Sequence, residues 1–169
     1  KMIGDLYERN ERFITDMLKA AKTMDKAMPV LIPLLEKSGA RGENSETVVM
    51  GLIRGNTQDI GKNLVVLMLK ANGYKVIDLG KNVAPEQFIE AAEAHNAVAI
   101  GISVMTNSSV NYAEKVTRIL KEQGKRDKYL VMTGGAAMTE NIAAQIGTKY
   151  GSDANAAVSL VKEYAGATA

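Results

Sequence analysis

Apolar residues keep a helical period over the first 37 positions, whereas from residue 48 short apolar runs alternate with longer amphipathic stretches. In the opening stretch Leu6, Phe13, Met17, Met24, Met28, Leu31 and Leu35 recur at intervals of three, four or seven. That spacing lays one apolar stripe along successive helices. Pro29 and Pro33 bend or interrupt its later part, because proline lacks an N–H and crowds the preceding turn. Residues 38–47, Ser-Gly-Ala-Arg-Gly-Glu-Asn-Ser-Glu-Thr, are turn formers without an apolar period and read as a linker.

Beyond the linker, Val48–Ile53, Val76–Leu79, Val98–Val104 and Tyr129–Thr133 are apolar almost throughout, and a short strand is expected near Thr148–Tyr150. Amphipathic segments over 62–72, 85–95, 109–123, 139–146 and 153–165 separate or follow them. Strands apolar on both sides and joined by helices indicate a parallel sheet covered on both faces. Right-handed crossovers then lead to an α/β fold, a doubly wound flavodoxin- or Rossmann-like five-stranded sheet. The domains expected are a helical segment over 1–37, the linker over 38–47 and the α/β domain over 48–169.

Composition narrows the functions open to such a chain. At 169 residues it fills one core with a small accessory piece. A net charge of +2 gives no argument for nucleic acid or a membrane surface. No run approaches the roughly 18 apolar residues of a membrane span, and no signal peptide is visible. With no cysteine there is no disulfide framework, thiolate metal site or cysteine nucleophile, and a cytoplasmic location is the natural inference. The first residue is Lys1 rather than Met, which leaves open both an upstream segment and a reduced helical piece.

In doubly wound sheets ligands bind at the carboxyl ends of the strands, where neighbouring strands wind oppositely. Three loops at those ends are small and polar: Gly55–Gly61, Ser103–Ser109 and Thr133–Met138. Taken singly, each has an ordinary explanation. Gly134-Gly135 makes a tight turn, Ser103 ends a strand, Asn56 favours a turn or caps a helix, and Gln58 is a surface loop residue. The Met-rich stripe, alone, is core packing.

The three motifs together resemble the cobalamin-binding domains of methionine synthase and of the methylotrophic corrinoid methyl-carrier proteins. Gly55-Asn56-Thr57-Gln58-Asp59-Ile60-Gly61 resembles their Asp-x-His-x-x-Gly signature, with Asn56 and Gln58 replacing its Asp and His and Gly61 retained. Ser103-Val104-Met105 is similar to the Ser-x-Leu motif, and Gly134-Gly135 to the Gly-Gly motif. Asp59-Ile60-Gly61-Lys62-Asn63 and Asn72-Gly73-Tyr74 also match the corrinoid carriers, so the resemblance spans essentially the whole chain.

The resemblance implies a corrinoid cofactor, cobalamin, bound base-off with its nucleotide tail buried between the strand ends. It implies contacts from Asn56, Thr57, Gln58, Asp59, Ile60 and Gly61 in the first loop. Ser103 would meet the buried base, with Met105, Thr106 and Ser109 beside it, and Thr133, Gly134 and Gly135 would line the slot. Ser109 stands where the family's Asp-His-Ser relay ends. Residues 1–37 resemble part of a helical cap, about half of a four-helix bundle, with Phe13 and Met17 over the upper corrin face.

No protein ligand to cobalt is expected, because Gln58 occupies the usual histidine position and its amide has no basic nitrogen. The sole histidine, His95, ends a helix on the opposite rim and suits the helix dipole there. The leading expectation is a methyl-carrying subunit, without catalytic residues of its own. Its implied partners are corrinoid methyltransferases and a reductive activator, with a homodimer also open. Alternatives are a storage, delivery or sensing protein for cobalamin, or a degenerate interaction module that binds no corrinoid.

Overall fold

The computed structural model describes Val30 and residues 46–168. The chain divides into two compact units, Lys1–Gly39 and Ala40–Ala169. The helical stretch expected over 1–37, with Phe13 and Met17 in it, and the linker up to residue 45 lie outside the described residues.

Among the described residues of the second unit five strands and five α-helices alternate: β1 (Thr47–Leu52), α1 (Ile60–Ala71), β2 (Lys75–Asp78), α2 (Pro85–Ala94) and β3 (Ala97–Ser103) come first. Then follow α3 (Val110–Glu122), β4 (Leu130–Gly134), α4 (Glu140–Gln145), β5 (Lys149–Tyr150) and α5 (Ala154–Thr168). All strand pairs are parallel and the order is β2-β1-β3-β4-β5. This is the doubly wound arrangement that the apolar runs predicted, with its reversal of winding between β1 and β3.

The strands lack a polar face because both sides are covered. Val48, Met50, Ala99 and Met132 pack under α1 and α5, against Val66, Leu69, Val158 and Val161. Val49, Ile53, Ile100 and Val131 face α2, α3 and α4, meeting Phe88, Val116, Leu120 and Ala143. Gly51 shows how closely the second layer fits, since a Cβ there would lie 2.8 Å from the Phe88 ring. A missing side chain on β1 therefore makes room for the Phe88 ring of α2.

Local chemistry starts the helices. Pro85 opens α2, where its missing N–H costs nothing, and Gln87 Oε1 accepts the Ala84 N–H at 2.8 Å. Asp153 Oδ1 accepts the Ala156 N–H at 2.9 Å at the head of α5. Helix α1 begins at Ile60, two residues before its expected start, because the Asn63 N–H already bonds Asp59 O at 2.8 Å. Ile60 and Gly61 thus belong to the first helical turn rather than to the loop.

Candidate functional site

The loops after β1 and β3 meet at the switch point, and backbone bonds carry the sheet's register into them. Ile53 N donates to Ser103 O at 3.0 Å, and Val104 N to Gly134 O at 2.8 Å. On the outer side Arg54 N donates to Val83 O at 2.9 Å, so the β2–α2 loop lies along the first loop. Asn56 is buried, with 3% of its surface exposed. Its Nδ2 donates to Ile53 O at 3.0 Å and Arg54 O at 3.3 Å, and its Oδ1 accepts from Met105 N at 3.0 Å. Ser109 Oγ donates to the same Arg54 carbonyl at 2.9 Å and lies 2.8 Å from Thr106 Oγ1.

Below these loops, on the α1 and α5 side of the sheet, a cavity of about 340 Å³ opens. That volume is in the range of small-molecule sites, roughly 300–1,000 Å³. Its floor is Met50, Gly101 and Met132, and one wall is the α1 face from Gly61 to Val65. Ser103, Met105, Gly134 and Gly135 form the rim, and Gly151 to Ala154 with Ala157 close the far side. The lining is largely apolar with a few polar groups, among them the Ser103 hydroxyl, which has no hydrogen-bond partner among the described residues.

Four glycines shape this space for different reasons. A Cβ on Gly101 would come within 2.1 Å of Met50 Sδ, so the floor is filled from the neighbouring strands. At Gly134 it would meet Gly151 O at 2.6 Å, and at Gly135, with φ +113°, Val104 O at 2.3 Å. Both of these glycines are demanded by backbone approaching backbone. Gly61 differs: nothing lies within 4 Å of the Cβ position, although the residue lines the cavity. Glycine is unfavourable in a helix by roughly 0.5–1 kcal/mol relative to alanine. Packing within the described residues thus gives no reason for a glycine here, and the Cβ position faces open space at the cavity.

Charged groups brace the first turn of α1. Lys62 is buried to 2% exposure and its Nζ reaches Asp78 Oδ2 at 2.5 Å, tying the helix to the end of β2. Asp59 pairs with Lys81 at 3.2 Å. Partial burial works against the Asp59 charge, but Lys81 and the Asn63 side chain together hold its carboxyl below the ordinary value.

Of the residues expected at the site, Gly61, Ser103, Met105, Thr133, Gly134 and Gly135 line the cavity. Thr133 does so with its hydroxyl turned away, hydrogen-bonded to Thr148 Oγ1 at 2.8 Å. Thr57, Gln58 and Thr106 are exposed beside the mouth, as is Ile60 at 46%, while Asp59 is partly exposed. Asn56 and Ser109 lie within the loops, bonded to backbone. His95 caps the C-terminus of α2, exposed and remote from these loops in the topology. Among the described residues no group of three or more His, Cys, Asp or Glu could hold a metal ion.

Sequence reasoning missed Met50, Lys62, Gly101, Met132 and the Gly151–Asp153 loop. A mid-strand glycine such as Gly101 is a readable sign of close approach. The β5–α5 loop carried no such sign.

A sequence profile of the B12 binding domain matches residues 46–161, and a second B12 binding domain profile matches residues 1–32. The trimethylamine corrinoid protein 2 of Methanosarcina mazei is 37% identical over 162 residues, 95% of this chain and 74% of that protein. The chain belongs to the B12-binding family of corrinoid proteins. The B12-binding fold is shared with the monomethylamine corrinoid protein of Methanosarcina barkeri, at TM-score 0.76 and 30% identity, over 96% of this chain and 76% of that one. The methanol:cobalamin methyltransferase complex of the same organism matches at TM-score 0.67 and 28% identity, over 97% of this chain and 62% of that one.

The cofactor of this B12-binding protein is a corrinoid, cobalamin, and the described residues fit it. The cavity sits at the switch point, its mouth is bordered by Gly61 with open space above, and Ser103 presents inside it a hydroxyl that no described residue hydrogen-bonds. Among the described residues, no helix is long and apolar enough to cross a membrane.

Proposed function

We propose that this corrinoid protein carries a methyl group between methyltransferase partners, holding cobalamin base-off with its nucleotide tail in the cavity and no side-chain nitrogen beneath cobalt. The observation that carries the tail-binding part is Gly61, a helical glycine with nothing over it at the mouth of a preformed cavity. Gln58 supports the rest, because it stands exposed where the family motif has its histidine. The relatives named for methylamine substrates and the methyltransferase complex support the partners. A reductive activator is a further partner of this reading.

The bound corrinoid supplies a cobalt that accepts a methyl group and gives it up again. The chain's own residues bind and orient it. The α1 face, Gly101 and the Gly134-Gly135 turn define the slot, and Ser103 Oγ offers a hydrogen bond to a polar atom of the buried base. Asn56, Gln58 and Ser109, which stand at the positions of the family's relay, carry no group that titrates near neutral pH.

Two measurements test the reading. Gly61→Leu places a side chain in the open mouth and is expected to abolish cobalamin binding while the apo protein melts no lower than the parent. Binding as tight as the parent's would remove the proposed tail site. Reconstitution with cob(II)alamin is expected to give an EPR spectrum without nitrogen superhyperfine splitting. A nitrogen triplet would show a protein ligand that Gln58 does not provide.

A further inference from the structure

The side chain at position 56 has a role that the loss of the relay histidine leaves unexplained. Both ends of the Asn56 amide are engaged, and all three partners are backbone groups of fixed polarity. Oxygen must face the Met105 N–H and nitrogen must face the carbonyls of Ile53 and Arg54, so the amide's orientation is determined. The bond to Met105 spans 49 residues and joins the β1–α1 loop to the β3–α3 loop. Ser109 reinforces the same point by donating to Arg54 O. Gly55, between them, has φ +86°, bonds Asn82 Oδ1 through its N–H at 2.9 Å, and leaves only 2.9 Å between a Cβ and Ser109 Oγ.

We propose that Asn56 is a positioning residue that pins the two switch-point loops together, sets the place of Met105 on the cavity rim, and requires a carboxamide. A carboxylate there would accept the Met105 N–H but would donate nothing to Ile53 O and Arg54 O. It would set a buried negative charge against two carbonyl oxygens, which is costly where water cannot screen it. Asn56 and Gln58 are therefore separate changes. Returning histidine to position 58 leaves the pin intact, whereas returning aspartate to position 56 breaks it. The pin is independent of what occupies the cavity.

The test uses the apo protein. Hydrogen exchange and thermal unfolding are measured for the parent, Asn56→Ala, Asn56→Asp, Gln58→His and the Asn56→Asp/Gln58→His pair. Exchange of the Met105 amide is expected to rise on the order of tenfold in Asn56→Ala, the effect of losing one hydrogen bond. Central β1 and β3 amides should keep their protection. Asn56→Asp should melt below the parent at neutral pH, and the double variant below Gln58→His alone. Unchanged Met105 exchange in Asn56→Ala, or a double variant as stable as Gln58→His, would overturn the proposal. If Asn56→Asp does not fold, the Met105 exchange in Asn56→Ala decides. Failure of the parent to bind cobalamin would count against the proposed function and leave these apo readings untouched.

Discussion

Gln58 and Gly61 stand three positions apart in one motif, and their surroundings give them opposite chemical meanings. Gln58 is exposed, makes no hydrogen bond among the described residues and brings no basic nitrogen. Without a titrating group at 56, 58 or 109, the cobalt(II)/cobalt(I) midpoint of the loaded protein should vary little with pH between about 6 and 8. Spectroelectrochemical titration of the parent and of Gln58→His checks this. The histidine variant should show a nitrogen triplet by EPR and acquire a pH slope, while a one-proton slope in the parent would reveal another titrating group at the metal. Gly61 invites a two-sided prediction. Gly61→Ala should stabilise the apo protein by about 0.5–1 kcal/mol, the helix propensity difference, and weaken cobalamin binding at the same time. Calorimetric unfolding and a binding titration read the two signs separately.

At the scale of elements, layers and ion pairs hold the loops where they meet. Phe88 on α2 is fully buried against Gly51 of β1, so Phe88→Ala should cost about 3–5 kcal/mol in denaturant unfolding. Gly51→Ala should destabilise through overpacking, roughly 1–3 kcal/mol, because a Cβ there would lie 2.8 Å from the buried Phe88 ring. The Asp59–Lys81 pair joins the start of α1 to the β2–α2 loop. Asp59 is depressed below its ordinary 3.8, so its contribution is present above the unfolded value and is lost as pH falls through the lower folded value. Lys81→Ala should raise the Asp59 carboxyl in an NMR titration and flatten this acid-side loss. No movement of Asp59 in that variant would show that Lys81 is not its partner in solution.

At the scale of the whole molecule, ligand and fold are linked. A cobalamin that binds only the native state should raise stability with its concentration, by about 2.7 kcal/mol at a hundred times its dissociation constant. Apo and loaded proteins should therefore melt apart by several degrees, and the shift should vanish in Gly61→Leu. Equal shifts in both forms would place the cofactor elsewhere.

Much of the molecule was legible before any coordinates. Val48–Ile53 and Val98–Val104 are apolar at every or nearly every position, as strands of a sheet covered on both faces are, and β1 and β3 lie inside it. The same runs place the polar loops at one rim, and the spacing of Gly61, Ser103 and Gly134-Gly135 carried the family resemblance. Helical period and strand alternation report burial, and burial is a local property of the chain. Hydrogen-bond partners are not local. Asn56 reads as a turn former in sequence, yet its amide is fixed by Met105, which only the β1–β3 pairing brings near. Thr133 belongs to the expected slot, but its hydroxyl turns to Thr148 on the opposite face. Lys62 looks like a solvated helix residue until Asp78, 16 positions on, arrives beside it. The sequence by itself determined the layers, the rim and the kind of cofactor. The tertiary structure alone decided which polar groups face the cavity and which hold its walls, because each choice depends on a neighbour brought close by the crossovers.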